Sequence, residues 1–328
     1  MIEIVAQSEA MQEAVGLAER VAATDANVLV TGESGAGKDA LAFYIHSRSA
    51  RTMQPFVKID CATLPAELLE AELFGYERGA FTSATEAKPG RLEAAHKGTV
   101  VLDEIAYLSN DSQAKLLRVI ETREFERLGG RNTIKVDARL LALTNVDLTK
   151  AVARRNFRED LFYRLNVVHI QVPPLRERVA DLPQLTVAFV RAYAAKHGRD
   201  LTGIAPQAIS LLSEYDFPGN VRELANTIER AVIFATGKQI EVADLPTAIR
   251  AAVAAERRDR QPRSLAEVEA EYLQETLATT GGNKTAAARI LGISRKNLYE
   301  RLERLGKGTE DAEQGRNGNE GYADRPKS

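Results

Sequence analysis

Two stretches of the chain bring together residue types that handle phosphate. In Gly32-Glu33-Ser34-Gly35-Ala36-Gly37-Lys38, glycines and a lysine fall at G-x-x-x-x-G-K spacing. Glycines let backbone N–H groups wrap phosphate oxygens, a helix starting at the lysine adds positive potential, and the ammonium reaches the β and γ oxygens. An apolar run over residues 27–31 leads into this string and a helical pattern, DALAFYIHSRSA, leaves it. An ordinary glycine-rich turn is the alternative for the string alone, and the strand-to-helix position favours phosphate. Asp39 stands where a serine or threonine usually supplies a Mg²⁺ contact, which leaves one contact unassigned. In the second stretch, TVVLDE, an apolar strand ends in Asp103 and Glu104. The first carboxylate suits Mg²⁺, held through water, and the second suits polarisation of an attacking water. A solvated turn is the bland reading of such a pair. Joined to the phosphate loop, the pair predicts ATP hydrolysis by positioning and electrostatics.

A third set lies near the other end. NKTAAARIL and SRKNLYERLERL are helical patterns separated by Gly292 and Ile293. Ser294 suits an N-cap and Gly306 a helix stop. Leu298, Leu302 and Leu305 share an inward face, which leaves Arg295, Lys296, Asn297 and Arg304 at the edge or outside. That is helix-turn-helix geometry, with the second helix offered to a major groove. A small dimerisation hairpin with a solvated charged face is the alternative.

The elements that position these groups follow from hydrophobic patterning. Short, continuously apolar runs at residues 27–31, 56–60, 99–103, 139–144 and 167–172 alternate with helical patterns, predicting a parallel sheet covered on both faces. Residues 1–172 therefore read as an α/β unit and residues 173–246 as a small helical domain beside it. Residues 247–263, Ala-rich and then charged, read as a linker with some helix. Residues 264–306 form an all-α unit, and the polar, aperiodic residues 307–328 read as a disordered tail.

A chain of 328 residues with 27% charged side chains and no run of about 18 apolar residues is neither wholly disordered nor membrane-spanning. Its net charge of −2 excludes a general polycation, yet residues 283–305 carry six basic side chains against two acidic ones. A single cysteine, Cys61, forms no internal disulfide, and the N-terminus shows no secretory pattern, so cytoplasmic residence is the expectation. Cys61 follows the apolar FVKID and reads as a small buried side chain.

The strings VLVTGESGAGKD, ELFGYERGAFTSA, GRLEAAHKGTVVLDEI, QAKLLRVIETREFERLGG, NFREDLFYRLNV, PPLRER and FPGNVREL, in this order, resemble the sigma-54-dependent transcription activators, or bacterial enhancer-binding proteins. The resemblance spans nearly all of residues 2–305. It implies an AAA+ P-loop ATPase with a helical lid, followed by a Fis-type helix-turn-helix domain.

By that resemblance the glycines of the loop and Lys38 bind ATP, Asp103 and Glu104 are the Walker B pair, and Asp39 is an acid the family commonly carries. Thr144 and Asn145 match sensor I, and Arg222 matches sensor II. Arg158 and Arg164 match arginine fingers that reach into the next subunit's site, which implies a ring, a hexamer as in the family, and a poorly active monomer. Gly79, Ala80, Phe81, Thr82, Ser83 and Ala84 match the loop that engages sigma-54 in RNA polymerase holoenzyme, with Ser83 in place of a glycine. If that position needs a positive φ, the change costs on the order of 1 kcal/mol.

Asp60 replaces an asparagine thought to restrain the catalytic glutamate; a carboxylate there would repel Glu104. Asn283, Thr285, Ser294, Arg295 and Asn297 match phosphate- and base-contacting positions. The helix Leu265–Thr279 is expected to pair two subunits on a palindromic duplex site.

The resemblance thus implies an activator that binds upstream DNA and uses ATP hydrolysis in a ring to remodel sigma-54 closed complexes. A regulator using ATP only to set its oligomeric state is the second reading, favoured by Ser83 and Asp60. A general protein remodeller is disfavoured by the helix-turn-helix. The phosphate-loop strand begins within about 30 residues of Met1, so the expectation is that no sensory domain precedes the motor and that control comes from expression, a partner or a separate regulatory protein.

Overall fold

The chain, seen here as a computed structural model, is described over residues 4–82, 84–260 and 265–302. Ser83, Arg304, the helix end at Leu305 and Gly306, the last part of the expected linker and the expected disordered tail lie outside the described residues. The chain divides into two units, Met1–Ala254 and Ala255–Ser328.

In the first unit the five apolar runs form one parallel sheet. Its strands are β1 (Val28–Thr31), β2 (Phe56–Asp60), β3 (Thr99–Asp103), β4 (Arg139–Thr144) and β5 (Val168–Gln171), in the spatial order β2-β3-β4-β1-β5. Side chains alternate faces along a strand. Val28, Val30, Val101, Leu141 and Leu143 therefore pack against Leu41 and Ile45 of helix Lys38–Ser47 and against helix Glu9–Ala22. Leu29, Val100, Leu102, Leu140 and Ala142 pack on the opposite face with Leu116 of helix Asn110–Thr122. Both faces are covered, which is why these strands read as unbroken apolar runs. Strand register sets Asp60 beside Asp103 and Thr31 beside Thr144, so the polar strand ends share one rim.

Cys61 follows β2 immediately. Its N–H donates to the Asp103 carbonyl at 2.9 Å, and its thiol is 2% exposed. Burial, reinforced by the nearby Asp60, Asp103 and Glu104, pushes its pKa up to about 12.

The lid is built on helices Leu182–His197, Pro206–Ser213 and Asn220–Phe234, with Phe189, Leu212, Leu224 and Ile228 in a common core. The stretch expected as a linker departs from that reading. Thr247–Arg260 is one helix, and its Ile249 joins the lid core because the apolar residues Ile249 and Val253 recur at helical spacing. Two small antiparallel hairpins, Gly75–Tyr76 with Lys88–Pro89 and Glu124–Glu126 with Thr133–Lys135, have no counterpart in the strand pattern read from the sequence.

The second unit contains helices Leu265–Thr279, Lys284–Ile290 and 295–302. Leu273, Ala287, Ala288 and Leu298 form its core, and Leu302 packs against them. Gly292, at φ 65°, makes the turn between the second and third helices.

Candidate functional site

The phosphate loop joins β1 to helix Lys38–Ser47, and Lys38 opens that helix. Lys38 is 7% exposed; its Nζ donates to the carbonyls of Gly32 at 2.9 Å and Glu33 at 3.2 Å and lies 4.0 Å from Glu104 Oε1. Burial lowers its pKa, partly offset by Glu104, Asp103 and Asp39. Gly35 adopts φ 75°, and a Cβ there would stand 2.4 Å from the Gly219 carbonyl oxygen. This is where loop and lid touch.

Asp103 Oδ1 accepts the Glu104 N–H at 3.0 Å, while Oδ2 pairs with Lys58 Nζ at 2.8 Å. Lys58 also pairs with Asp39 Oδ1 at 2.6 Å. Glu104 sits in the left-handed region at φ 53°, a costly backbone state for a non-glycine residue that is concentrated at functional sites. From there Oε2 accepts the Asn145 N–H at 3.3 Å. Thr144 is fully buried and its carbonyl accepts the Gly32 N–H at 3.3 Å, so the expected sensor strand is tied both to Glu104 and to the loop.

Asp60 closes an Asx turn at the end of β2. Its Oδ1 accepts the Ala62 N–H at 2.9 Å, and among the described residues no hydrogen bond joins it to Glu104.

The lid closes over the loop through a polar seam. Glu33 accepts two bonds from Arg176, at 2.7 and 2.9 Å, and one from Asn220 Nδ2 at 3.0 Å. These bonds, Arg176 first, hold the Glu33 pKa down at about 2. Arg222 Nη1 donates to Ser34 Oγ at 2.9 Å and its N–H to the Gly35 carbonyl at 3.3 Å. Beside Gly37 opens an apolar cavity of about 240 Å³, lined by Ile4, Val5, Met11, Ala40, Leu185 and Phe189. Arg178, 3% exposed, also lines it and donates to Ala36 O and, at 3.2 Å, to Met11 Sδ.

Arg158 and Arg164 are not gathered with these groups. Arg158 forms a two-toothed pair with Asp160 at 3.0 and 2.7 Å, and Arg164 pairs with Glu121 at 3.0 Å; both are exposed.

Gly79, Ala80, Phe81, Thr82 and Ala84 lie between the strands of the first small hairpin. Gly79 N–H donates to Ala84 O at 2.8 Å and Ala84 N–H to Phe81 O at 2.9 Å. Phe81 meets Tyr76 edge-on, ring centroids 4.9 Å apart, and remains 38% exposed. The second hairpin buttresses this loop: a Cβ on Gly129 (φ 71°) would lie 2.9 Å from Ala80 Cβ. Arg127 binds Glu93 at 2.8 Å and Glu77 at 3.0 Å.

In the helix-turn-helix unit, Thr285, Arg295, Lys296 and Asn297 are exposed. Asn283 and Ser294 use their side-chain oxygens as N-caps, Asn283 for the N–H groups of Thr285 and Ala286 and Ser294 for that of Asn297 at 3.2 Å. Their first task is to start helices.

Comparison with known proteins agrees with this geometry. Residues 4–171 match the Sigma-54 interaction domain, residues 176–262 the AAA+ ATPase lid domain, and residues 264–305 the Bacterial regulatory protein, Fis family. The chain is a member of the sigma-54 activator family. It is 46% identical over 301 residues to the transcriptional regulatory protein ZraR of Salmonella typhimurium, covering 92% of this chain and 68% of that one. It is likewise 46% identical over 311 residues to the regulatory protein AtoC of Escherichia coli, with the same coverage. A crystal structure of NtrX from Brucella abortus in complex with ATP superposes with a TM-score of 0.70 at 36% identity, covering 93% of this chain and 70% of that one.

As a sigma-54 activator the chain is an AAA+ ATPase with a Fis-type DNA-binding domain. Sequence reading missed three parts of this activator's site. Lys58 lies inside a strand pattern, and Arg176 and Arg178 lie inside PPLRER, where no local spacing marks a site. The apolar cavity draws on chain segments too far apart for any local pattern. The Arg-x-Arg alternation after two prolines was the one available signal, and the structure sends its two guanidinium groups to different partners, Arg176 to Glu33 and Arg178 to the Ala36 carbonyl.

Proposed function

We propose that the protein is an ATP-driven activator that binds upstream duplex DNA through residues 284–302, assembles a ring, and uses hydrolysis to move the Phe81 loop against sigma-54 in closed polymerase complexes. The observation that carries this reading is the division of the site. Loop, Walker B acids, sensor strand and lid arginine converge within one chain, whereas Arg158 and Arg164 stand exposed elsewhere, paired at the surface with Asp160 and Glu121. Guanidinium groups supplied by a neighbouring subunit complete such a site, because a permanently charged planar fork stabilises charge developing on a transferred phosphoryl group.

The donor set fits Mg²⁺. A cationic nitrogen already lies between Asp39 and Asp103, and among the described residues no group of three or more His, Cys, Asp or Glu side chains is arranged as an all-protein metal cage. Mg²⁺ characteristically takes one or two carboxylates and shares the rest of its shell with phosphates and water. Asp103 would hold it, and it would supply charge neutralisation at the β and γ phosphates. Glu104 is placed to orient a water, and Asn145 holds Glu104 through its N–H. Lys38 exchanges its present carbonyl partners for phosphate oxygens. The apolar cavity beside Gly37 suits a flat heterocycle such as adenine, packed against Phe189 and Met11.

The second reading, ATP used only to set oligomeric state, is favoured by Asp60, a carboxylate where the family carries a neutral amide, and by Ser83. Transcription in vitro with sigma-54 holoenzyme separates the two. Activation with ATP, and none with a non-hydrolysable analogue, supports remodelling; equal activation with both refutes it.

A further inference from the structure

The third helix of the helix-turn-helix unit, residues 295–302, sorts its side chains by partner. Leu298 and Leu302 pack into the core. Arg301 pairs with Glu269 of the first helix, and Lys284 of the second helix lies 4.7 Å over the Tyr299 ring. Arg295, Lys296, Asn297 and Glu300 are exposed, and among the described residues none of these four side chains has a partner on either neighbouring helix. At about 100° per residue, the positions two before and two after Leu298 point away from the core. Those positions are Lys296 and Glu300, which therefore form the centre of the face that a groove would meet.

Glu300 is out of character on that face. Residues 284–302 carry five basic side chains, Lys284, Arg289, Arg295, Lys296 and Arg301, and this single acid. Its Oε1 stands 4.0 Å from Lys296 Nζ, one turn back, and the glutamate side chain keeps 50% of its surface exposed. An ionised carboxylate only accepts hydrogen bonds, and the phosphates of a duplex repel it, so a base edge that it faces must supply a donor. The major-groove code is decisive here. Guanine presents the acceptors N7 and O6, and thymine presents O4. Adenine sets its N6 donor beside the acceptor N7, whereas cytosine presents its N4 donor with no acceptor on its own edge.

We propose that Glu300 is a specificity-determining residue that selects cytosine at one position of the DNA site, accepting a hydrogen bond from its N4 amino group while Lys296 offsets the carboxylate's charge against the phosphates. What the acid contributes is rejection. Any other base at that position sets an acceptor against the carboxylate, and discrimination by repulsion is as effective as discrimination by attraction.

The inference rests on the duplex-DNA reading of this unit, and selection by the full chain from a random duplex library keeps the two apart. The recovered consensus is then varied base by base in labelled duplexes, with affinity read by fluorescence anisotropy. Wild type demands cytosine at one position and binds about tenfold more weakly when any other base stands there, the scale of one base-specific contact. Glu300→Ala removes the demand at that position alone. Glu300→Gln moves it to adenine, whose N6 and N7 match an amide's acceptor and donor. The rest of the consensus is the folding control, because the side chain lies outside the unit's core.

A consensus identical for wild type and Glu300→Ala, with affinity raised uniformly across sequences, overturns the inference and leaves Glu300 as a solvated partner of Lys296 that merely repels phosphate. A change at a position where wild type does not demand cytosine overturns it too, as does loss of the whole consensus in both variants. Wild-type protein that recovers no consensus overturns the sequence-reading role of the unit itself.

Discussion

Glu33 and Arg176, separated by 143 positions in the chain, meet in a two-toothed ion pair that fastens the phosphate loop to the start of the lid. Glu33 is the depressed acid of the pair. Its contribution to stability is complete above its unfolded pKa near 4.5 and is lost as pH falls toward its folded value of about 2. Both side chains are about two-fifths exposed, so solvent screening keeps the pair's contribution small. The stability gap between wild type and Glu33→Gln, measured by urea unfolding, should therefore be constant at and above pH 5 and shrink as pH is lowered from 4.5. A gap that grows on acidification would refute the assignment.

Gly35→Ala should be far more damaging than its single methyl suggests. The new Cβ meets a lid carbonyl oxygen at 2.4 Å and the backbone is held at φ 75°. Strain of this kind costs on the order of 1–3 kcal/mol. The expected outcome is a lowered Tm together with loss of nucleotide binding, because lid and loop cannot both keep their places. Retention of both would mean that the seam yields easily.

Arg158→Ala and Arg164→Ala should act only in the assembled state. Loss of a trans arginine reduces turnover by about a thousandfold or more. ATPase assays across protein concentration, with nucleotide binding followed in parallel, test this. The prediction fails if hydrolysis by assembled protein is unchanged.

Phe81→Ala should abolish sigma-54-dependent transcription and spare ATP hydrolysis, since the ring packs on Tyr76 and takes no part in the phosphate-loop contacts described above. Equal loss of both activities would make Phe81 a structural residue of the motor.

Asn283→Ala removes the cap that serves two backbone N–H groups at the start of Lys284–Ile290. Such a loss costs about 1 kcal/mol. DNA affinity should fall through a less ordered helix pair, and Asn283→Ser, another good cap, should restore most of it. A serine variant as defective as alanine would instead point to direct base contact by the amide.

How much of this was legible beforehand depends on the distance over which each feature is encoded. The loop glycines, Lys38 and the pair Asp103–Glu104 are local: each occupies one short string at a strand end, and the apolar runs place those ends on one rim. Lys58 is not local. Its partnership with Asp103 follows from the β2–β3 register, which no window on either strand contains. Glu33 with Arg176, and the cavity lined by Ile4, Met11 and Phe189, require three separate segments to converge. The hairpin strands Gly75–Tyr76 and Lys88–Pro89 are too short to show any alternation.

The sealed position of Cys61 has a practical consequence. Thiolate is the species that reacts with maleimides, and a thiol at 2% exposure with a pKa of about 12 supplies almost none at neutral pH. The natural chain therefore serves as its own cysteine-silent background. Thiols introduced at exposed points such as Tyr163 or Thr82 can carry paired dyes for distance measurements during turnover, with the native residue left in place.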